Sequence, residues 1–369
     1  MLEGASAETT HKIMYRLAAT IPNDIALNLI PEVAFRPDGS LFAVSHQQAN
    51  EVVVYDAHSR NVVRVFRNPG AGLDNPHGVL MSDHFLIVSN THGVTRPSSF
   101  SVHRIDGASD QPVCTFVTPY PHLREAHSLA LRNGMLVATY CQNVEGPGAI
   151  VTYRFDADSG AISGPTALRE ACFKDYGQPK GVAFSNDGKE LFITYATQKR
   201  MTGLANYARR VKSTRLMWQK RNFAEFARFV VARSKRRLRA ILAPPVLKNG
   251  VAVFSVDDAG TLSAAPVRIL ERREFCRLEN IDIVGDSAVL CDTINGRVYL
   301  HDLAQDPLLQ APVQDIAEGV VLPHGAKLSP DRSMLVVTNY GLKVENEIIH
   351  WMTPAQDYTN SVLVYDRCD

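Results

Sequence analysis

Several features that would define common classes of protein are missing from this 369-residue chain. No stretch approaches the roughly 18 consecutive apolar residues that a membrane-spanning helix needs, and the N-terminus has no basic region followed by an apolar run. The 6 cysteines are scattered, without a CxxC pair, which favours reduced, mostly buried thiols over a disulfide framework or a zinc knuckle. We therefore expect a soluble, cytoplasmic protein.

Three sequence motifs of common enzyme classes are also missing. No GxSxG elbow, P-loop or GxGxxG fingerprint occurs at a suitable junction of a strand and a helix. These absences disfavour covalent serine hydrolysis, nucleotide hydrolysis and NAD chemistry.

The chain has little net charge, +1 at pH 7, but the charge is unevenly distributed. Between Lys199 and Arg239 there are 14 Lys or Arg and one acid, Glu225, so this segment carries +13 and the remainder −12. Such segregation indicates a separate basic element on an acidic body.

Six similar segments indicate a repeat architecture. They share a short apolar strand, a turn and a β-branched strand: PEVAFRPDGSLFAVSH, PHGVLMSDHFLIVSN, AHSLALRNGMLVATY, PKGVAFSNDGKELFITY, LENIDIVGDSAVLCDT and PHGAKLSPDRSMLVVTN. Five spacings separate their second residues: 45, 50, 53, 99 and 45. Removing the basic segment of about 47 residues reduces the longest spacing to about 52, so every unit has the length of a four-stranded propeller blade.

A third strand follows in each unit and a fourth in most, but the sixth unit ends after its third strand. The N-terminal stretch HKIMYRLAAT, from His11 to Thr20, has no blade of its own and can supply the missing outer strand. We predict an all-β, six-bladed β-propeller over residues 11–369, closed by this N-terminal strand, with a basic helical insertion in blade 4 at residues 199–246.

The repeat register predicts which residues converge on the central channel. The residue just before the first strand of each blade should lie at one mouth of the channel: Glu32, His77, His127, Lys180, Glu279 and His324. Imidazoles and carboxylates together are typical ligands of zinc, iron or manganese. We predict a divalent metal ion held by the three histidines with Glu32 or Glu279, and we assign Lys180 to an anionic substrate or intermediate.

The second strands return to the same mouth and end on a further polar set. Candidate acid–base groups there are His46, Tyr140 and Asp292, and the predicted substrate-binding residues are Asn90, Tyr195 and Asn339. Each of these residues could instead be an ordinary channel-wall group.

The PHGV, AHSLAL, PKGVAFSNDG and PHGAKLSPD segments resemble the repeats of NHL, YVTN and gluconolactonase-like propellers over almost the whole chain outside the basic insert. The resemblance to the gluconolactonase, paraoxonase and strictosidine synthase-like group implies a divalent metal, usually calcium in the hydrolases, held by a Glu and by Asn or Asp. Glu32 matches that Glu. His77, His127 and His324 stand where that group has Asn or Asp, which favours zinc, iron or manganese over calcium.

A second resemblance is to the peptidyl-hydroxyglycine amidating lyase, whose zinc is held by three histidines at strand starts. His127 in AHSLAL and His324 in PHGAKLSPD match that style of motif, and His77 matches it less well. Both resemblances imply metal-polarised chemistry on a carbonyl, lactone or hemiaminal.

The basic insert leaves blade 4 at the mouth of the predicted metal site. Apolar spacing predicts a helix from Asn222 to Ala243 and a shorter one from Gly203 to Gln219. It could be a lid whose arginines neutralise an anionic substrate, a peripheral contact with a membrane surface, a nucleic-acid-binding arm or a solvated helical hairpin. We favour the lid and rank nucleic acid last, because the rest of the protein is acidic.

These observations lead to one principal hypothesis of function and two alternatives. The principal one is a metal-dependent hydrolase of the lactonase or esterase type, acting on a small oxygenated substrate. The alternatives are a metal-dependent lyase or isomerase of a biosynthetic pathway, and a non-catalytic propeller that binds a ligand or a protein partner.

Overall fold

Six four-stranded antiparallel sheets account for nearly all the regular structure of the described residues. A computed structural model describes residues 13–22, 29–67, 70–143, 148–170, 173–196, 249–272, 274–340, 342–345, 348–354 and 361–368. Each sheet forms one blade, and the strands follow one another in chain order from the channel outward, except in blade 6. The predicted helices at 203–219 and 222–243 lie outside the described residues.

The first three blades are each built from consecutive strands. In blade 1 these are Val33–Phe35, Leu41–His46, Glu51–Asp56 and Val62–Arg67. Blade 2 contains Pro76–Met81, Phe85–Asn90, Ser99–Arg104 and Cys114–Val117. Blade 3 contains Leu123–Arg132, Met135–Asn143, Ala149–Phe155 and Ile162–Arg169.

The other three blades follow the same plan. Blade 4 contains Gln178–Phe184, Glu190–Ala196, Asn249–Ser255 and Arg268–Glu271. Blade 5 contains Leu278–Val284, Ser287–Asp292, Arg297–Asp302 and Gln314–Ile316. Blade 6 contains Pro323–Leu328, Met334–Asn339, Ser361–Cys368 and, on the outside, Met14–Pro22.

In the part of the chain that the structure describes, three short elements lie outside the blades. They are a 3₁₀ turn at His92–Val94, a helical turn at Phe173–Tyr176, and a hairpin of Leu342–Glu345 with Ile348–Pro354. No helix within the described part of the chain is both long enough and apolar enough to cross a membrane.

Tight turns within the blades follow from the DG dipeptides of the sequence. Gly39 has φ of +75° and donates its amide to the Arg36 carbonyl at 2.9 Å. Gly188 has the same φ in the corresponding turn of blade 4. Glycine adopts this left-handed conformation without steric cost, so the two strands on either side can pair directly.

The apolar core is divided among the gaps between blades. Six clusters of buried apolar side chains each join two neighbouring blades, and the sixth joins blade 6 to blade 1. In each cluster, alternate residues of the strands point toward one neighbour, as the period-2 pattern of the sequence predicts. The ring is therefore continuous, as a six-bladed propeller requires.

The N-terminal strand closes this ring. Met14–Pro22 pairs antiparallel with Ser361–Cys368, which confirms the predicted outer strand of blade 6. Tyr15 is buried, and its hydroxyl donates to the Arg332 carbonyl at 2.8 Å. The Gln314 side chain accepts from the Tyr15 amide at 2.8 Å and donates to the Tyr15 carbonyl at 2.7 Å, which ties the strand to blade 5 as well.

Replacing Tyr15 should therefore weaken the closure of the whole ring. We expect Tyr15→Ala to lower the free energy of unfolding by about 3–5 kcal/mol, because it removes a buried aromatic ring. The exposed neighbour Arg16→Ala is the control, with an expected change within about 0.5 kcal/mol. Urea unfolding followed by fluorescence measures both, and equal effects of the two substitutions would contradict this account of closure.

Candidate metal centre

Irregular pairing at the start of the first strands shapes the channel mouth. The register between the first and second strands shifts near Pro76, Ala126, Pro179, Leu278 and Pro323. A β-bulge of this kind bends the strand and re-aims the side chain at that position. The predicted channel residues of blades 2 to 6 occur at or beside these shifts.

Hydroxyl groups of the second strands stabilise the irregular backbone. In five blades, a Ser or Thr accepts a hydrogen bond from an amide of the first strand, at 2.8 to 3.2 Å. The pairs are Ser45 with Glu32, Ser89 with Gly78, Thr139 with Ser128, Thr194 with Gly181, and Thr338 with Gly325. In blades 2, 3, 4 and 6, amides that the bulge removes from the strand ladder therefore have buried acceptors.

Glycine follows the channel residue in alternate blades, at Gly78, Gly181 and Gly325. A Cβ at Gly181 would lie 2.6 Å from the Asn280 Cα, and one at Gly78 would lie 2.9 Å from the His127 carbonyl oxygen. The first strands of neighbouring blades therefore approach more closely than a side chain would allow. This close approach brings His77, Lys180 and His324 near the channel axis.

Three of the predicted ligands form a compact group. One ring nitrogen of each of His77, His127 and His324 lies within 4.8 Å of those of the other two, and all three side chains are buried. The ring centroids of His77 and His127 are 4.3 Å apart, and each lies 5.1 Å from that of His324. The structure thus brings together histidines from blades 2, 3 and 6.

Backbone carbonyls determine the tautomer of two of these rings. Nδ1 of His77 donates to the His127 carbonyl at 2.8 Å, and Nδ1 of His324 donates to the Pro31 carbonyl at 2.7 Å. In each ring Nε2 is then the unprotonated nitrogen with a free lone pair. Metal-binding histidines commonly have this arrangement.

Burial keeps all three imidazoles neutral. It lowers the pKa of His77 to about 3 and that of His324 to about 4, and it lowers the pKa of His127 well below its usual range. A neutral imidazole is the form that binds a metal ion. Near pH 7 the three rings are therefore ready to bind a metal ion without first losing a proton.

Glu279 is the carboxylate of this group. Its Oε2 lies 3.0 Å from His127 Nε2 and 3.8 Å from His324 Nε2. The same oxygen is 3.2 Å from Lys180 Nζ, and Oε1 pairs with Arg277. Although burial acts to raise the pKa of Glu279, Arg277 and Lys180 outweigh it and hold that pKa well below its usual range.

Lys180 remains charged in this environment. Burial disfavours its ammonium group, but Cys141 and Glu279 nearby outweigh burial and raise the pKa of Lys180. The mouth of the channel therefore contains two cations, Lys180 and Arg277, that share one carboxylate at Glu279. A further negative group on a ligand would be stabilised there.

The group contains buried polar atoms that lack hydrogen bonds. The 3.0 Å contact between His127 and Glu279 lies outside hydrogen-bond geometry, so neither ring nitrogen of His127 has a hydrogen-bond partner among the described residues, and Oε2 of Glu279 has only its ion pair with Lys180. A buried polar atom without a hydrogen bond, such as those of the His127 ring, costs roughly 1–3 kcal/mol. A cation that accepts lone pairs from both residues would remove this cost, so the donor set fits a metal ion.

Glu32 occupies a different layer of the channel. Its carboxylate accepts two hydrogen bonds from Asn280 Nδ2, at 2.8 and 2.9 Å, and one from Ser128 Oγ at 3.1 Å. Burial raises the pKa of Glu32 to about 7. The structure thus does not place Glu32 in the compact group of histidines, and its assignment as a ligand stays a prediction.

The three predicted acid–base residues of the second strands have other contacts. Tyr140 donates to or accepts from the Tyr153 hydroxyl at 2.8 Å, within the core between blades 2 and 3. Asp292 accepts the amides of Cys276 and Arg277 at 3.0 and 2.9 Å. His46 is buried beside Glu51, and burial lowers its pKa to about 4.

The predicted substrate-binding residues also hold loops and blades together. Asn90 accepts the Asp74 amide at 2.9 Å, and Tyr195 donates to Glu271 at 2.8 Å. Asn339 accepts the Val321 amide at 3.1 Å. The catalytic or binding roles of these second-strand residues therefore remain predictions.

Two residues of the mouth escaped the sequence analysis. Tyr340 stacks on His324, with ring centroids 4.3 Å apart and planes 27° from parallel, and it directly follows Asn339. Arg277 precedes Glu279 by two residues and pairs with it. Extending the repeat register by one or two positions at each end would have drawn attention to both.

Comparison with known proteins supports the fold. No protein-family model and no curated protein matches this chain. A luciferin-regenerating enzyme is 11% identical, with a TM-score of 0.56 over 94% of both chains. The PQQ-bound aldose sugar dehydrogenase of Streptomyces coelicolor is 11% identical, with a TM-score of 0.55 over 97% of this chain and 99% of that one.

A third similar structure is regucalcin of Agrobacterium tumefaciens strain C58, described as a calcium-binding protein. It is 11% identical, with a TM-score of 0.54 over 94% of this chain and 93% of that one. At this level of identity the likeness establishes the fold alone. The predicted resemblance to six-bladed gluconolactonase-like propellers is confirmed to that extent.

The hydroxyl support of the first strands can be tested at Thr338. We expect Thr338→Val to lower the free energy of unfolding by about 1–3 kcal/mol, because it leaves the buried Gly325 amide without an acceptor. Thr338→Ser retains the hydroxyl and should recover most of that loss. Urea unfolding of the three proteins measures this, and equal destabilisation by Val and Ser would exclude the hydrogen bond as the cause.

The buried imidazoles predict a dependence of stability on pH in chelator-treated protein. His77 has a folded pKa of about 3, below the usual value of 6.5, so the unfolded state takes up a proton first as the pH falls. The stabilisation is present above pH 6.5 and is lost progressively toward pH 3. We expect His77→Asn to reduce the pH slope of the unfolding free energy by up to about 1.4 kcal/mol per pH unit in this window.

Urea titrations at half-unit intervals of pH give both slopes. The exposed His84→Asn controls for the substitution itself. An unchanged slope in His77→Asn would show that His77 does not titrate as the buried site requires.

Proposed function

We propose that this protein is a metal-dependent enzyme that hydrolyses a small lactone or ester at the channel mouth. The proposal depends on one observation: three buried, neutral histidines converge within 4.8 Å beside the ionised Glu279. Nitrogen-rich donor sets favour zinc, iron or manganese, whereas calcium prefers oxygen ligands. His77, His127 and His324 would hold the ion, with Glu279 as the fourth candidate ligand.

When bound, such an ion supplies Lewis-acid polarisation of a carbonyl and lowers the pKa of water. The chain's own residues prepare the site for this chemistry. The Nδ1 hydrogen bonds orient His77 and His324, and Arg277 and Lys180 hold Glu279 in place. The Lys180 ammonium is also placed to attract an anionic substrate or to stabilise negative charge that develops on a carbonyl oxygen.

The described residues on either side of the basic segment 199–246 lie at the same mouth. The chain leaves the described part after Ala196 and returns at Asn249, and these two residues pair with each other. Gln178, which pairs with Ala196, precedes Lys180 by two residues. This position supports the segment as a lid over the site.

A lyase that acts on a carboxylate-bearing substrate is the second candidate. The observation that favours it is the excess of cations around Glu279, because Lys180 could stabilise an enolate or a carboxylate. Hydrolysis in ¹⁸O-labelled water incorporates the label into the product acid, and elimination does not. A panel of small lactones, esters and hydroxy acids assayed in this way would separate the two reactions.

Metal content tests the proposal most directly. Purified protein should retain close to one equivalent of zinc, iron or manganese, measured by elemental analysis after gel filtration. His127→Ala should bind the ion at least about tenfold more weakly, and Glu279→Gln should weaken it about 10- to 100-fold, as for ligands and their immediate supports. His103→Gln replaces a buried histidine outside the channel and should retain the ion.

Two results would contradict the proposal. One is wild-type protein that binds no divalent ion after incubation with an excess of each metal. The other is equal metal retention by wild type, His127→Ala and Glu279→Gln.

A further inference from the structure

Blade 2 contains a Ser, a His and an Asp in hydrogen-bonded sequence. Ser99 Oγ lies 2.9 Å from His92 Nε2, and His92 Nδ1 lies 2.9 Å from Asp74 Oδ2. Asp74 lies shortly before the first strand of the blade, His92 opens the 3₁₀ turn after the second, and Ser99 begins the third. All three are therefore at the same mouth of the propeller as the metal centre.

The two ring nitrogens have the roles that a general base requires. An ionised carboxylate can only accept hydrogen bonds, so Nδ1 of His92 carries the proton and donates it to Asp74. That hydrogen bond lowers the pKa of Asp74 to about 2. Arg96 Nη2 also donates to Asp74 Oδ2, at 2.9 Å; its 3.0 Å contact with Nδ1 is not a hydrogen bond in this tautomer, because a guanidinium can only donate. Nε2 is then left as an acceptor facing the Ser99 hydroxyl.

The backbone around this group is constrained. His92 has φ of +50° and Asn75 has φ of +54°, both in the left-handed region that non-glycine residues rarely adopt. The His92 amide donates to the Asp74 carbonyl at 3.1 Å, and the Thr91 amide donates to the Asn75 carbonyl at 3.1 Å. Strained residues held by surrounding hydrogen bonds are frequent at functional sites.

We propose that Ser99, His92 and Asp74 form a second catalytic site, which transfers a small acyl group from an activated ester to Ser99 and then to water. This activity goes beyond the metal-dependent reaction proposed above and does not depend on it. The sequence search for GxSxG could not find this serine, because it begins a propeller strand instead of occupying a strand-to-helix elbow.

The reaction follows the established sequence of a serine hydrolase. Ser99 Oγ bonds to the ester carbonyl carbon while its proton passes to His92 Nε2. Collapse of the tetrahedral intermediate breaks the bond to the leaving alcohol, which takes the proton from His92. Water then attacks the acyl-Ser99 ester, gives its proton to His92, and the acid leaves as Ser99 recovers that proton.

The burial of Ser99 and His92 limits the size of the acyl group that the site can accept. Ser99 is 5% exposed and His92 is 8% exposed, so little space is open in front of the hydroxyl. We therefore expect acetyl and similarly small groups to be accepted and long acyl chains to be excluded. This preference distinguishes the site from exposed nucleophiles that react with any ester.

Chelator-treated full-length protein provides the test, because removal of divalent ions separates this site from the metal centre. A small fluorophosphonate should add one equivalent to the wild type, seen by intact-protein mass spectrometry, and peptide mapping should place the adduct on Ser99. Hydrolysis of p-nitrophenyl acetate should show a burst of one equivalent or less that prior labelling abolishes.

Substitutions at Ser99 and His92 test whether these two side chains are responsible for the labelling. Ser99→Ala and His92→Gln should each reduce labelling at least about 100-fold. Ser101→Ala alters a buried serine two residues further along the same strand and should be labelled like the wild type. Circular dichroism of each variant establishes that the propeller is intact.

The wild-type result decides the proposal even if a variant fails to fold. No adduct on the wild type, or an adduct mapped to another residue, would overturn it. Undiminished labelling of a folded His92→Gln would also overturn it, because Ser99 would then react without its base.

Discussion

The hydrogen bonds from first-strand amides to second-strand hydroxyls determine where the channel residues point. Five blades use a Ser or Thr in this way, and in blades 2, 3, 4 and 6 the hydroxyl takes the place of a ladder partner at a β-bulge. Without that acceptor, the amides at these four bulges would be buried and unpaired. The convergence of His77, His127 and His324 is a consequence of that local irregularity.

Charge balance is the second constraint on the mouth of the channel. Three imidazoles can be buried side by side only because they are neutral, and Glu279 can be buried only because Lys180 and Arg277 neutralise it. Both ring nitrogens of His127 and Oε2 of Glu279 nevertheless lack a hydrogen-bond partner among the described residues. The propeller is thus stable as a scaffold, while its mouth retains buried lone pairs that a ligand could use.

The fold places two proposed sites on one face. Strand starts bring the candidate metal donors to the axis, and two loops of blade 2, one before its first strand and one after its second, bring Asp74, His92 and Ser99 together. Both sites use the same property of a propeller, in which every blade delivers loop and strand ends to the same mouth. The fold is shared with proteins of diverse function, so function must be argued from these sites.

The architecture follows from the sequence alone, because six copies of one strand–turn–strand pattern and an additional N-terminal strand admit few arrangements. The sequence also indicates which residues share the channel register, and His77, His127, His324, Lys180 and Glu279 do lie together.

The contacts of the other site residues depend on tertiary structure. Only packing between blades shows that Glu32 bonds to Asn280 and Ser128 instead of joining the histidines, since these contacts span 248 and 96 residues of chain. The partners of Asp292 and Asn339 likewise depend on loop geometry, which a repeat pattern does not encode, and that of Tyr140 depends on side-chain packing in the core. The Ser99–His92 contact requires a left-handed residue and a short turn, and neither leaves a periodic signal in the sequence.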